Sequence, residues 1–425
     1  MKDKMKIIPS VHSGVTEITP DKQALLCKLF HFKALRPHQL AAVSAMHAGR
    51  DILMTVNTGG GKSEAILGAK LLNPEHGLHV QIEPLRALQG DMRDRMAALG
   101  IRVEVLNSDL SPLQFSTALQ KIKHGAVDCV LTTPEQLEKS AVFHALNEIS
   151  VSFLAVDECH CLVEWGGEFR PAYDRIGSFI QHLDSRPIVA ACTATLTPDA
   201  EKKVRKSLHL RDPVRICGSI DRPEIRQLAV EIGTDLTDRT LIRKERFSRL
   251  KSVLKEYAKD GSVIVYCTSV TQTREVTEWL QRKGFDAEPF YAALPHAEKE
   301  RIRQRFRTEK RIIIVGTSAF GMGIDKSNIR LVVHMSMPLS IEDYWQKTGR
   351  AGRDGKKSIS LVLWHRLDFN INAAIVGYSG KKYKKLQRLR DFLQCNQCIA
   401  QQLRNYFGQS EGKTCGRCSI CKPKF

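Results

Sequence analysis

The chain has 425 residues, with 65 Lys+Arg against 46 Asp+Glu and a formal charge of +19, so an anionic polymer is the expected partner. That length accommodates two or three domains, each with its own core. No apolar run approaches the ~18 residues of a membrane span, and the amino-terminal MKDKMKIIPS has no long apolar stretch, which argues against a membrane partner or a secreted chain and for the cytoplasm, the nucleoid or the nucleus.

In chain order, residues 1–20 are polar and contain proline. From Leu26 a helical pattern, LCKLFHFKALRPHQLAAVSAMHAGRD, breaks at Arg36-Pro37 and resumes after it. Gln39 lies in the second half, and its amide offers a donor and an acceptor that match the edge of adenine. An apolar strand over 51–56 then runs through Asn57-Thr58-Gly59-Gly60-Gly61-Lys62-Ser63 into the helical EAILGAKLL. Three glycines let backbone N–H groups wrap a phosphate, and the following helix adds its positive end. Lys62 is placed to reach β- and γ-phosphates and Ser63 to ligate Mg²⁺. Val56 stands where the strict GxxxxGK[ST] pattern has its first glycine.

Strands over 79–83 and 129–132 lead into Pro84-Leu85-Arg86 and Thr133-Pro134-Glu135, polar loops able to position a phosphodiester backbone. The buried-strand pattern of 151–156 ends in adjacent acids, Asp157 and Glu158, at the strand end where parallel α/β sheets bind ligands. His160 follows, then Trp165, Phe169 and Arg170 in a glycine-containing loop, a set suited to stacking on exposed bases. A strand over 187–191 ends in Cys192-Thr193-Ala194-Thr195, whose hydroxyls can bond to the acids or cap the next helix. Residues 210–246 are polar and charged and read as the hinge and the entry to a second domain.

Strand–helix alternation restarts at 262 and continues to 364, a second parallel sheet without a glycine–lysine loop of its own. It carries Ala319-Phe320-Gly321-Met322-Gly323-Ile324-Asp325, a loop suited to close backbone approach, and Gln346–Gly355, in which Arg350 and Arg353 stand three apart. A guanidinium brought to a γ-phosphate is worth roughly 10³ to 10⁵ in rate. Of 12 cysteines, seven are scattered through apolar or motif segments and five crowd the last 31 residues, as in a metal site rather than a disulfide framework. Cys415, Cys418 and Cys421 supply three thiolates, and spacing leaves Cys395 and Cys398 both open as the fourth ligand of a structural Zn²⁺. Lys381, Lys382, Lys384 and Lys385 give this tail a basic leading edge that fits a nucleic-acid backbone.

GGGKS, DECH, TAT, AFGMGID and QKTGRAGRDG in this order resemble a superfamily 2 helicase, and FHFKALRPHQ, HCLVEWGGEFRP, SIDRPEIR and the cysteine tail resemble the RecQ family over residues 25–421. The resemblance implies an α/β chain with two tandem RecA-like parallel-sheet domains followed by a small helical zinc-binding subdomain. The expected limits are 1–20 for an amino-terminal segment, 21–212 and 213–366 for the two domains, and 367–425 for the zinc subdomain. It implies ATP and Mg²⁺ as cofactors, bound in the cleft between the domains, a structural Zn²⁺, and 3′-to-5′ movement on single-stranded or tailed duplex DNA. Arg36 and Gln39 would recognise adenine; Thr58, Gly59, Gly60, Gly61, Lys62, Ser63 and Asp325 would bind nucleotide. Asp157 would hold Mg²⁺ with Ser63, Glu158 would polarise the attacking water, and Arg353, or alternatively Arg350, would be the arginine finger. Arg86, His160, Trp165, Phe169, Arg170, Thr193 and Thr195 would bind DNA and couple it to hydrolysis, and the family register selects Cys398 with Cys415, Cys418 and Cys421. Cys159, Val163, Glu164, Gly167 and Glu83 depart from the usual family residues, which bears on DNA preference rather than on ATP hydrolysis. Ending at the cysteine tail, the chain is expected to be a core-only enzyme, with a protein partner supplying a strand-separating wedge. The rival expectations are a DNA-stimulated translocase without robust unwinding, a non-hydrolysing zinc-dependent DNA scaffold, and an RNA helicase.

Overall fold

The computed structural model describes residues 15–57, 59–73, 77–84, 86–164, 171–321, 326–409 and 412–423. Thr58, Trp165, Phe169, Arg170 and Asp325 lie outside them.

Two compact units divide the chain, one up to Ile220 and the other from Asp221. The first holds β1 (Ile52–Thr55), β2 (Leu78–Ile82), β3 (Val103–Leu106), β4 (Cys129–Thr132), β5 (Val151–Val156), β6 (Ile188–Thr193) and β7 (Val214–Cys217). They form one parallel sheet in the order β3-β4-β2-β5-β6-β1-β7. Side chains alternate along each strand, so a sheet covered on both sides is apolar at most positions of either register. Leu154, Val156, Val189 and Ala191 pack into one core layer while Phe153, Ala155, Ala190 and Cys192 pack into the other. Truncating a side chain as enclosed as Leu154 would cost about 2–5 kcal/mol.

The second unit holds β8 (Ile225–Glu231), β9 (Ser262–Tyr266), β10 (Ala287–Phe290), β11 (Ile313–Gly316), β12 (Ile329–His334) and β13 (Ser358–Trp364), all parallel, in the order β10-β11-β9-β12-β13-β8. Val263, Val265, Leu331 and Val333 face one layer, and Ile264, Tyr266, Ile314 and Val332 the other. After β13 come helices Arg366–Val376, Gly380–Gln394 and Ile399–Tyr406, then the cysteine knuckle.

Two expectations change. The strand Val214–Cys217, placed after the 212/213 limit, pairs with β1 in the first sheet. The stretch 210–246, read as hinge and entry to a second domain, begins with that strand of the first sheet and goes on into β8 and the start of helix Arg239–Tyr257 in the second unit.

Candidate nucleotide site and zinc centre

Three neighbouring strands of the first sheet, β5, β6 and β1, bring their carboxyl ends to one edge. Two backbone bonds tie the loops that leave them: Val56 N–H donates to Thr193 O at 3.0 Å and Cys159 N–H to Cys192 O at 2.9 Å. The phosphate-loop residues, the paired acids and Thr193 therefore converge through topology alone. This is where open parallel sheets take ligands.

Gly61 leads into helix Lys62–Leu71 with φ at +86°, a conformation that glycine adopts without penalty. A Cβ there would collide with the Gln39 amide, and one on Gly60 with Val56 and the Asn57 carbonyl, so the loop is a cradle that only glycines leave open. Three side chains at the start of helix Pro37–His47 brace it, from its N-cap Arg36 and from His38 and Gln39 in its first turn. Arg36 Nη1 donates to Gly59 O (3.2 Å), His38 Nε2 lies 2.6 Å from Gly60 O, and Gln39 Nε2 donates to Gly61 O (3.1 Å). The Gln39 carbonyl meanwhile accepts from Arg36 N–H at 2.9 Å, so both ends of this amide are engaged. Burial holds the His38 imidazole below its usual pKa, which keeps it neutral beside Arg36 and Lys62. Lys62 is buried and donates to Val56 O at 3.0 Å, and Ser63 is half-buried one residue on.

Asp157 Oδ1 accepts from the Glu158 amide at 2.8 Å. Burial, and then the Glu158 charge, raise the Asp157 carboxyl above the usual range, so a cation there would be welcome. Glu158 itself has φ +48°, an uncommon backbone for a residue with a Cβ and one that recurs at functional sites. His160 Nδ1 sits 2.9 Å from Thr193 Oγ1 and 3.2 Å from Glu158 Oε2, linking the acid to the end of β6. Burial disfavours the charged imidazole, but Cys161 and Glu158 outweigh it and raise the His160 pKa. Thr195 is half-buried beyond this group, and Arg86 is exposed and paired with Asp109 and Ser108 Oγ. The sequence reading missed His38, although it lies inside the RPHQ stretch.

In the second unit, helix Ile341–Thr348 starts on Ser340, whose hydroxyl accepts from Asp343 N–H at 3.1 Å, and ends at Gly349. Arg350 follows, buried, with Nη2 3.1 Å from where a Cβ on Gly321 would stand. Arg353 is half-buried three residues later.

The Sγ atoms of Cys398, Cys415, Cys418 and Cys421 all lie within 4.8 Å of one another, and Cys395 is not in the group. Tetrahedral zinc at about 2.3 Å from each sulfur needs S–S separations near 4 Å, so this donor set fits it. Cys415 N–H points at Cys398 Sγ (3.2 Å) and Cys418 N–H at Cys415 Sγ (3.3 Å). Burial opposes the Cys398 thiolate, but the Cys415 and Gln401 amides outweigh it and lower the thiol to about 7. Burial and crowded sulfurs push Cys421 up to about 12, a cost that a dication would offset. The knuckle lies along edge strand β8: Ser419 N–H donates to Gln227 O (3.1 Å) and Ala229 N–H to Ser419 Oγ (3.1 Å).

Tandem RecA-like sheets, the first ending in a phosphate cradle and paired acids, define a helicase core of the DEAD/DEAH-box type. The family model of DEAD/DEAH box helicases matches residues 36–204, that of the helicase conserved C-terminal domain 245–355, and that of RecQ zinc-binding 367–422. The chain is 32% identical over 403 residues to the ATP-dependent DNA helicase RecQ of Pasteurella multocida (strain Pm70), covering 93% of itself and 61% of that relative. It is 31% identical over 357 residues to the probable ATP-dependent DNA helicase RecS of Bacillus subtilis (strain 168), covering 83% of itself and 69% of that protein. Among solved structures, the DUF1998 helicase MrfA bound to DNA is similar with a TM-score of 0.66 at 18% identity, covering 88% of this chain and 51% of that one. S. cerevisiae Dbp5 bound to RNA and ADP BeF3 gives 0.64 at 17%, covering 88% and 97%. At these identities the likeness is one of fold. The chain belongs to the RecQ family of helicases. It spans 61% and 64% of the length of two RecQ relatives.

Proposed function

We propose that the chain is an ATP-dependent DNA translocase and helicase that moves 3′ to 5′ on single-stranded DNA and separates tailed duplexes. The observation that carries this reading is the convergence of Lys62, Ser63, Asp157, Glu158 and Thr193 at the carboxyl ends of three adjacent strands. Lys62 exchanges the Val56 carbonyl for β- and γ-phosphate oxygens, while the amides of Gly59 to Gly61 cradle the chain of phosphates. Arg36 and Gln39 border the same loop and meet the base, Gln39 giving up one of its two backbone bonds to do so. Ser63 and Asp157 hold Mg²⁺, which when bound neutralises phosphate charge. Glu158 polarises the attacking water. His160, between Glu158 and Thr193, passes the state of the DNA-facing loops to that carboxylate. Arg353, or Arg350, stabilises charge on the transferring phosphoryl group. Zn²⁺ on Cys398, Cys415, Cys418 and Cys421 is structural, since four thiolates leave no open position.

ATP turnover measured with single-stranded DNA, with single-stranded RNA and with neither tests the reading on wild type and Lys62→Ala. Strong stimulation by DNA, abolished in the variant, is expected, together with strand separation on 3′-tailed but not 5′-tailed duplexes. Equal stimulation by RNA, or turnover that survives Lys62→Ala, would overturn it.

A further inference from the structure

The arginine pair of the second unit is held by a residue with no part in the scheme above. Arg222, buried, uses all three edges of its guanidinium: Nε pairs with Glu224, Nη1 donates to Gly349 O at 3.2 Å and Nη2 to Ala351 O at 2.8 Å. Those carbonyls belong to the two neighbours of Arg350. They lie just past the end of helix Ile341–Thr348, where carbonyls lack intrahelical partners and a cation is favoured. The chain then turns through Gly352 at φ +62°, whose missing Cβ would crowd Glu224 Cγ at 3.0 Å. Arg222 is itself anchored from the other side. Arg417, between Cys415 and Cys418, donates from Nη2 to Arg222 O at 3.2 Å, and its own carbonyl accepts from Arg226 Nε at 3.0 Å.

We propose that Arg222 is a positioning residue that fixes where Arg350 and Arg353 leave the helix, and that the zinc knuckle steadies it through Arg417. This rests on the reading of Arg350 and Arg353 as the groups that act on the phosphoryl being transferred. A fork that bonds two carbonyls and a carboxylate at once cannot be replaced by the single ammonium of lysine, which keeps only the charge. Lysine at this position therefore leaves the segment loosely aimed, and misplacement by about 1 Å is worth on the order of 10²-fold in rate.

The test compares Arg222→Lys, Arg417→Ala, Arg350→Ala and Arg353→Ala in the full chain. The measurements are DNA-stimulated kcat, KM for ATP, binding of a fluorescent ATP analogue, zinc content and melting temperature. Arg222→Lys should lose about 10²-fold in kcat with nucleotide binding and zinc at wild-type levels and a melting temperature lowered by only a few degrees, less than ~10 °C. Arg417→Ala should lose less, in the same kcat-only pattern. A kcat at wild-type level in Arg222→Lys while Arg350→Ala or Arg353→Ala is inactive overturns the positioning role alone. Full activity in both of the latter overturns the finger reading instead. Loss of activity that tracks loss of zinc or a larger fall in melting temperature in both Arg222→Lys and Arg417→Ala assigns them to folding and also overturns the proposal.

Discussion

The two units repeat one architecture, a wholly parallel sheet with both faces buried, and furnish its loops with opposite chemistry. In the first, the loop-bearing edge gathers backbone donors around glycines, one buried ammonium, and two acids, the Asp157 carboxyl held above its usual range. In the second, buried guanidiniums gather instead: Arg222 just before β8, Arg330 within β12 and Arg350 just past helix Ile341–Thr348 are at most 9% exposed. Arg330 bonds to Asp354 and donates to Ser358 Oγ at 2.9 Å, and Arg222 grips carbonyls. A buried cation needs partners on every edge, whereas a phosphate cradle needs open amides. The sheet thus sets where loops emerge, and the loops set the chemistry.

That contrast can be broken most forcefully at its two ends. Lys62→Ala and Arg353→Ala should both reduce DNA-stimulated ATP turnover by roughly 10³-fold or more, but only the first should weaken binding of a fluorescent ATP analogue. Equal weakening by both would erase the division of labour between the units. Next in size, Cys398→Ser should release zinc, read by metal analysis, and lower the melting temperature, while Cys395→Ser should change neither. A smaller effect is shared by both units. His79 in β2 and His334 in β12 are enclosed and neutral, burial lowering each to about 3 from 6.5. The unfolded chain takes up these protons first, so the stabilisation is complete above pH 6.5 and is lost as pH falls toward 3, by on the order of 4 kcal/mol each at most. Melting curves from pH 7 to 4 should show that fall, reduced in His79→Leu and in His334→Leu separately. Smallest, Gln39→Ala should raise KM for ATP by about fivefold and narrow the preference over GTP, since one amide contact is worth about 1 kcal/mol. An unchanged preference would remove Gln39 from base recognition.

How much of this was legible in the sequence depended on where an element sits in its sheet. Central strands such as β5 and β12 are buried on both faces and show as apolar runs over Phe153–Val156 and Leu331–Val333. Strands β3, β7 and β8 were passed over, and each is an edge strand. Val103–Leu106 and Val214–Cys217 are only four residues long and half-buried at most positions, and Ile225–Glu231 interleaves Arg226, Gln227 and Glu231 with its apolar residues, as an edge does. The phosphate cradle and the acids were readable because their chemistry needs fixed residues at short spacing. Arg222 was visible only as part of SIDRPEIR, because its partners are carbonyls 127 and 129 residues further on and a carbonyl has no residue type. His38 was hidden in the same way, bonding to the Gly60 carbonyl.

The knuckle that lies against β8 has one more consequence. Through its amide and hydroxyl, Ser419 occupies the free rungs at Gln227 and Ala229 on the outer border of the second sheet. Removing the metal would unbutton that border, and an exposed ladder accepts the first strand that arrives, including one from a neighbouring molecule. Chelation should therefore make the protein stick to itself in proportion to its concentration, so that a bound ion would serve solubility as much as shape.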